Sequence, residues 1–440
     1  MAGNRLTLTD RRMGRACTLL VAFTCFFYPL AACIIFYLNV PSTPINVGIR
    51  AMCAGGATFL IFVWTVRSRT VRLNLATWAL LLFWLMYALR LIVDLNRGIQ
   101  FSVYSEFTVY GFAFGNILLP IIAIALWAKH FDVFLFRRAV FFILIATNLG
   151  MLFALVSQSQ DLNIVTMFSG GRAAIYSENN AADSRDIINP ITISYYGSLL
   201  SISCFYLLLF KKTGIWRLAI IILFVIGVAC LLLGGSRGPL VSWLGTLLLI
   251  FGYRAWHHRE KVVLGLKTVL TGLIALLVLR FTVFRNFSVE DLFIYRRFLR
   301  FLETRSGTTS KREYRELAYE SAWQDFLDSP VVGKQFVGTY DSFYPHNLIL
   351  EVLMSTGLIG ACLFFTFLIL LLRRFFRIYT QRNVDNFFIA ALLIPMFFGS
   401  LFSGSIFGSV DFWIIMSILA ILPLRQKKRH PGPVSQLQTL

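Results

Sequence analysis

The chain has 440 residues, of which 58% are hydrophobic and only 14% charged, and its mean hydropathy is +0.72. That composition excludes a soluble globular protein and describes an all-α, polytopic membrane helix bundle with most of its length in the bilayer. The formal net charge of +20 is spread over seven short basic segments rather than one stripe, which argues for a topology signal and contact with anionic phospholipids, and against nucleic acid as a partner.

Apolar runs long enough to cross the membrane as helices of about 20 residues fall near 17–38, 46–66, 74–95, 108–128, 138–157, 188–210, 216–234, 239–256, 262–283, 346–372, 387–403 and 408–424. About twelve spans are therefore expected in a single integral-membrane domain covering 1–440. The first run has no Ala-x-Ala site after it and reads as a retained helix rather than a signal peptide. Basic residues set the orientation, because positive loops resist translocation. Arg5, Arg11, Arg12 and Arg15 precede the first span, and Arg67, Arg69 and Arg72 follow the second. Basic clusters then recur after the fourth, sixth, eighth and tenth spans and in the 425–440 tail, so both termini are expected in the cytoplasm.

On the translocated face two long segments remain, 157–186 and 284–345. The first carries Gly170-Gly171-Arg172 and Arg185 ahead of Asn189-Pro190, where the sixth span begins. A third, minimal contribution is the turn Gly234-Gly235-Ser236-Arg237-Gly238-Pro239. Glycines there let a backbone approach a ligand, Pro239 suits a first helical turn, and Arg237 holds a permanent cation where an anionic headgroup would fit. The structural alternative is a tight hairpin with Arg237 reaching the interface. In the long loop, Arg312 to Leu327 has apolar residues at helical spacing, which predicts an amphipathic helix stopping before Ser329-Pro330. Tyr295 to Arg300 is a second interfacial helix candidate, and Gly333 and Gly338 suggest a flexible return to the membrane.

The loop ends at Tyr344-Pro345-His346-Asn347. His346 is the only histidine expected on that face, since His130, His257, His258 and His430 fall in cytoplasmic segments. A general base and a locally bonded helix-start residue are its two readings. Asn347 and Glu351, at i and i+4, are placed to brace one another, and Arg90 and Asp94 to form an internal ion pair. The seven cysteines lie within spans with no Cys-x-x-Cys pair, so no disulfide, metal or cofactor is expected.

Ser236-Arg237-Gly238 at a helix-turn-helix, Arg315 before a helix ending in Ser329-Pro330-Val331-Val332-Gly333, and Pro345-His346-Asn347 followed by Gly357-Leu358-Ile359-Gly360 together resemble the bacterial O-antigen ligase and polymerase superfamily. The resemblance covers about residues 230–365. It implies a metal-independent, inverting GT-C glycosyltransferase working on undecaprenyl-diphosphate-linked glycans at the periplasmic face of the inner membrane. Under it Arg237, Arg315 and one of Arg172 or Arg185 bind the donor diphosphate, His346 serves as base, and Ser236, Gly238, Asn347 and Glu351 support them. The acceptor would be a second lipid-linked glycan in a polymerase or lipid A-core in a ligase, and a chain-length regulator is an implied partner. The short connection from Gly333 to His346 favours the polymerase. A flippase would share the span count, but no internal repeat of the kind transporters carry is evident.

Overall fold

The computed structural model describes residues 8–67, 73–101, 105–158, 173–176, 188–211, 214–257 and 314–423. Among these residues there are thirteen helices: α1 (Leu8–Phe26), α2 (Tyr28–Leu38), α3 (Ser42–Val66), α4 (Leu75–Asn96), α5 (Glu106–Leu126), α6 (Val133–Gln158), α7 (Pro190–Phe210), α8 (Gly214–Leu233), α9 (Arg237–His257), α10 (Tyr314–Asp328), α11 (Leu348–Thr380), α12 (Val384–Phe402) and α13 (Val410–Ile421). The protein is an all-α, multi-pass membrane bundle.

Eight of the described helices are long and apolar enough to cross a bilayer, nine if α1 and α2 count as one span. Within the described residues, two of the expected runs differ from single long spans, and one falls outside those residues. The 17–38 run is not one rod, because α1 and α2 meet at 64°; Pro29, in the first turn of α2, lacks the N–H that would continue the helix. The last span is a short helix of 12 residues. The expected 262–283 span lies outside the described residues, as does the Tyr295 to Arg300 segment.

Contacts at the helix ends sort the termini into two sets. On one side, Arg137 at the start of α6 and Lys211 just past α7 both bind Asp385 at the start of α12, the latter at 3.0 Å. Arg254 near the end of α9 donates to the Leu209 carbonyl, and Asn74, capping α4, donates to Ala420 at 2.8 Å. On the other side lie the end of α4, the turn between α8 and α9, and the starts of α7 and α11. This second end carries His346.

Two packing features hold that end in place. α7 and α8 approach through Gly197, Ser201 and Gly227, where an added Cβ at Gly227 would come within 2.8 Å of backbone on α7. Small residues at such a crossing let membrane helices pack backbone to backbone. Deeper, Phe83 and Trp84 of α4, Phe364 of α11 and Trp413 of α13 form a buried aromatic cluster, with Phe83 to Phe364 and Trp84 to Trp413 centroids at 5.4 and 5.2 Å. On α4 and α11 it sits roughly four turns beneath the His346 end.

Candidate active site

The site is built around the entry to α11. Asn347 caps the helix: its side-chain oxygen accepts from the N–H groups of Ile349 and Leu350, at 3.0 and 3.1 Å. An Asn at this position satisfies donors a helix start leaves open. His346, one residue earlier, has φ +54°. A non-glycine residue held in this left-handed region is uncommon and costs conformational energy, so the surroundings must impose it.

Those surroundings are aromatic. Phe101, buried beyond the end of α4, packs on Phe336, Phe343, Tyr344 and Phe407 with ring centroids 4.8 to 6.5 Å away. Tyr344 in turn stands edge-on to the His346 ring at 4.6 Å. The imidazole is half-buried, and its Nδ1 is sealed from solvent without a hydrogen-bond partner. Burial first, and then the Arg315 guanidinium, push its pKa below the ordinary 6.5, while the Ser403 backbone and the Asp341 carboxylate pull weakly the other way. The result at neutral pH is an uncharged imidazole within the electrostatic reach of a cation.

Arg315 reaches this position because α10 is tied to the loop that carries His346. Asp325, 2% exposed, accepts from the Thr339 N–H at 2.9 Å, the Thr339 hydroxyl at 2.5 Å and the Lys334 ammonium at 2.8 Å. Ser321 accepts from the Tyr340 N–H at 3.2 Å. The helix expected from the 312–327 spacing is therefore present, ends before Pro330, and presents Arg315 at its first turn.

Arg237 opens α9. The preceding turn is buried, with Gly235 at φ +57° and the Ser236 N–H donating to Ser194 Oγ at 3.2 Å. The Ser194 hydroxyl donates in turn to the Leu231 carbonyl at 2.9 Å, which locks α7, α8 and the turn together. A Cβ on Gly238 would lie 3.8 Å from Phe402, whose neighbour Ser403 faces the His346 ring. The start of α9 and the histidine thus border the 402–403 corner between α12 and α13. Arg172 and Arg185 lie outside the described residues. Their flanks converge on the same turn: the Ala173 N–H donates to Leu233 at 3.1 Å, and Ile175 and Ile188 form an antiparallel bridge.

Two expectations are corrected. Asn347 and Glu351 do not brace one another, because the Asn347 side chain turns to the helix start and Glu351, fully buried, accepts from the Ile406 N–H at 3.0 Å. Glu351 therefore secures the 403–409 connection that faces His346. Gly333 is no flexible hinge either. It packs against the backbone of Ser355 and Thr356, and Gly357 opposite it breaks α11 with φ +60° and ψ −160°. The pair Arg90 and Asp94 is present at 3.5 Å, but both groups do more. Arg90 donates to four backbone carbonyls, and Asp94 accepts from the Phe336 N–H at 3.0 Å. Sequence reasoning passed over Asp411, whose carboxylate accepts from the Tyr195 hydroxyl at 2.5 Å; a carboxylate inside an apolar run is itself a signal.

Residues 222–365 match the O-antigen ligase family model. The matched stretch contains α9, α10, the turn bearing Arg237, and the His346 entry to α11. It supports placement in the O-antigen ligase and polymerase superfamily. No curated protein matches the chain.

Proposed function

We propose that the protein polymerises undecaprenyl-diphosphate-linked oligosaccharide repeat units into O-antigen or a related surface polysaccharide. The reaction takes place at the periplasmic face of the inner membrane, with both termini cytoplasmic. The observation that carries the reading is the uncharged His346 imidazole set beside the Arg315 cation at a backbone position imposed by its surroundings.

In the transfer step an acceptor sugar hydroxyl attacks the anomeric carbon of the donor from the face opposite the diphosphate. The new C–O bond forms as the bond to diphosphate breaks, with inversion. The hydroxyl proton goes to the His346 imidazole, and the bonding electron pair leaves with the diphosphate, whose growing charge is met by Arg315 and Arg237. Guanidinium suits this task because it stays charged and binds two phosphate oxygens at once. Arg172 or Arg185 would add a third cation from the 157–186 loop. Ser236 and Gly238 set the turn that aims Arg237, while Asn347 and Glu351 hold the helix start and the connection on either side of His346.

A ligase reading, in which finished polymer passes from undecaprenyl diphosphate to lipid A-core, is favoured by the description of the matched family. The glycan phenotype of a deletion strain separates the two. Single repeat units on lipid A-core indicate a polymerase; long polymer held on undecaprenyl diphosphate over bare core indicates a ligase. For the chemistry itself, His346→Ala in purified protein with a lipid-linked donor and chelator present should cut transfer about 10²- to 10⁴-fold while donor binding persists. Transfer at the wild-type rate by that variant would return His346 to a helix-start role.

A further inference from the structure

The segment following Arg315 exposes apolar side chains. Trp323 and Leu327 on α10, and Val331 and Val332 in the turn after it, are 44 to 56% exposed. This turn lies against the broken stretch of α11: Leu358 N–H donates to the Pro330 carbonyl at 2.7 Å, Ile359 N–H to Val331 at 3.2 Å, and Lys334 N–H to Met354 at 2.9 Å. Leu358 and Ile359 are themselves exposed, on a helix that crosses the membrane.

Depth can be counted from two helices. Measured back about 20 residues from Leu372, just before Arg373 and Arg374, the far boundary of the hydrocarbon on α11 falls near Val352. Leu358 and Ile359 then lie about 9 Å inside it. Measured from Leu75, the same count on α4 ends near Asp94, leaving Arg90 about 6 Å inside. Both helices thus set the turn within the leaflet on the His346 side.

Irregular backbone at that depth is tolerated only when its polar groups are satisfied by protein, each open one costing several kcal/mol. Here five carbonyls in a row are paired. Pro330 and Val331 take the Leu358 and Ile359 N–H groups that the Gly357 break sets free. Val332, Gly333 and Lys334 take Arg90, at 2.6, 2.7 and 3.1 Å. The adjacent charges are matched as well, with the Lys334 ammonium 2.8 Å from both Asp325 and Asp328. The pairing thus covers every carbonyl from Pro330 to Lys334.

We propose that the 329–334 turn and the end of α10 are seated in the lipid leaflet on the His346 side, with Trp323, Leu327, Val331 and Val332 against acyl chains. The segment is then a re-entrant wedge that fixes the height of Arg315 above the hydrocarbon.

Spin labels test this without any glycan substrate, so the result is independent of the reaction proposed above. In a Cys362→Ser background, which removes the exposed native thiol, nitroxides are placed by Val331→Cys and Val332→Cys. The full-length protein is reconstituted in phosphatidylethanolamine and phosphatidylglycerol vesicles. Leu358→Cys gives the lipid reference and Tyr340→Cys, on the exposed part of the same loop, the water reference. Collisions with a nickel chelate should be lost at 331 and 332 while oxygen collisions stay high, matching Leu358→Cys. Nickel access equal to that at Tyr340→Cys would overturn the proposal. So would low access to both reagents, the mark of a face covered by a second copy of the chain.

Discussion

Replacing Gly357 by alanine tests whether the break in α11 is a built feature. At φ +60° and ψ −160° the residue occupies a region essentially reserved for glycine. A Cβ there would come within 2.5 Å of the Gly333 nitrogen and of the Val331 carbonyl group. The backbone conformation costs alanine about 1–3 kcal/mol, and forcing a methyl into close-packed backbone adds about 1–3 kcal/mol. The combined loss, on the order of 2–6 kcal/mol, is a large part of the roughly 5–15 kcal/mol that holds a folded domain together. Straightening the helix offers no escape, because it would recapture the Leu358 and Ile359 N–H groups and strand the Pro330 and Val331 carbonyls. Gly245→Ala in α9 is the matched control: nothing lies within 4 Å of its added Cβ, and a mid-helix alanine there should gain about 0.5–1 kcal/mol. Thermal unfolding of both variants in detergent, followed by the monodisperse fraction on size exclusion, should move in opposite directions. A Gly357→Ala protein that melts with or above the wild type would refute the reasoning.

If His346 is the base as proposed, transfer activity should rise with pH through a limb lying below the ordinary histidine value of 6.5, because the active form is the neutral imidazole and its pKa is lowered. Arg315→Gln removes a cation that helps lower it, so the limb measured on residual activity should shift to higher pH; an unmoved limb would separate the two residues. Arg237→Lys and Arg315→Lys should be nearly as damaging as the alanine variants, because a point charge cannot reproduce the guanidinium fork; full transfer in both lysine variants at normal protein level would return them to a structural role. Arg90→Ala strands three consecutive carbonyls of the turn and should cost about 3–5 kcal/mol, read as lost melting temperature, and a wild-type melt would show that the turn is held by other contacts.

Much of the bundle is legible in hydropathy, because a run that must bury every backbone group in hydrocarbon has few ways to do so. Helices α3, α4, α6, α7 and α12 fall where the apolar runs predict them. The bend at Phe27 is not legible, since Phe27-Tyr28-Pro29 keeps the run apolar while the proline withholds one hydrogen bond. The site shows the same division. The residue types at Arg315 and His346 mark chemistry by their placement beside the one long polar loop. The reasons they meet are tertiary: Asp325 gathering Thr339 and Lys334, and Glu351 holding Ile406. In sequence Gly357 and Gly360 are only the tail of the motif that follows His346, and the docked 330–334 turn explains why Gly357 interrupts the helix.

The Ile175 to Ile188 bridge closes residues 177–187 at their base, with Ala173 fastened to Leu233 beside it. A segment pinned in this way can be rewritten between its pins at small thermodynamic cost, since even doubling the length of a closed loop costs only about 0.6 kcal/mol. Arg237 and His346 lie outside that stretch, on the described helix starts. Under the proposed reaction, divergence toward a new sugar would therefore have one inexpensive place to begin, beside helix starts that need not change with it.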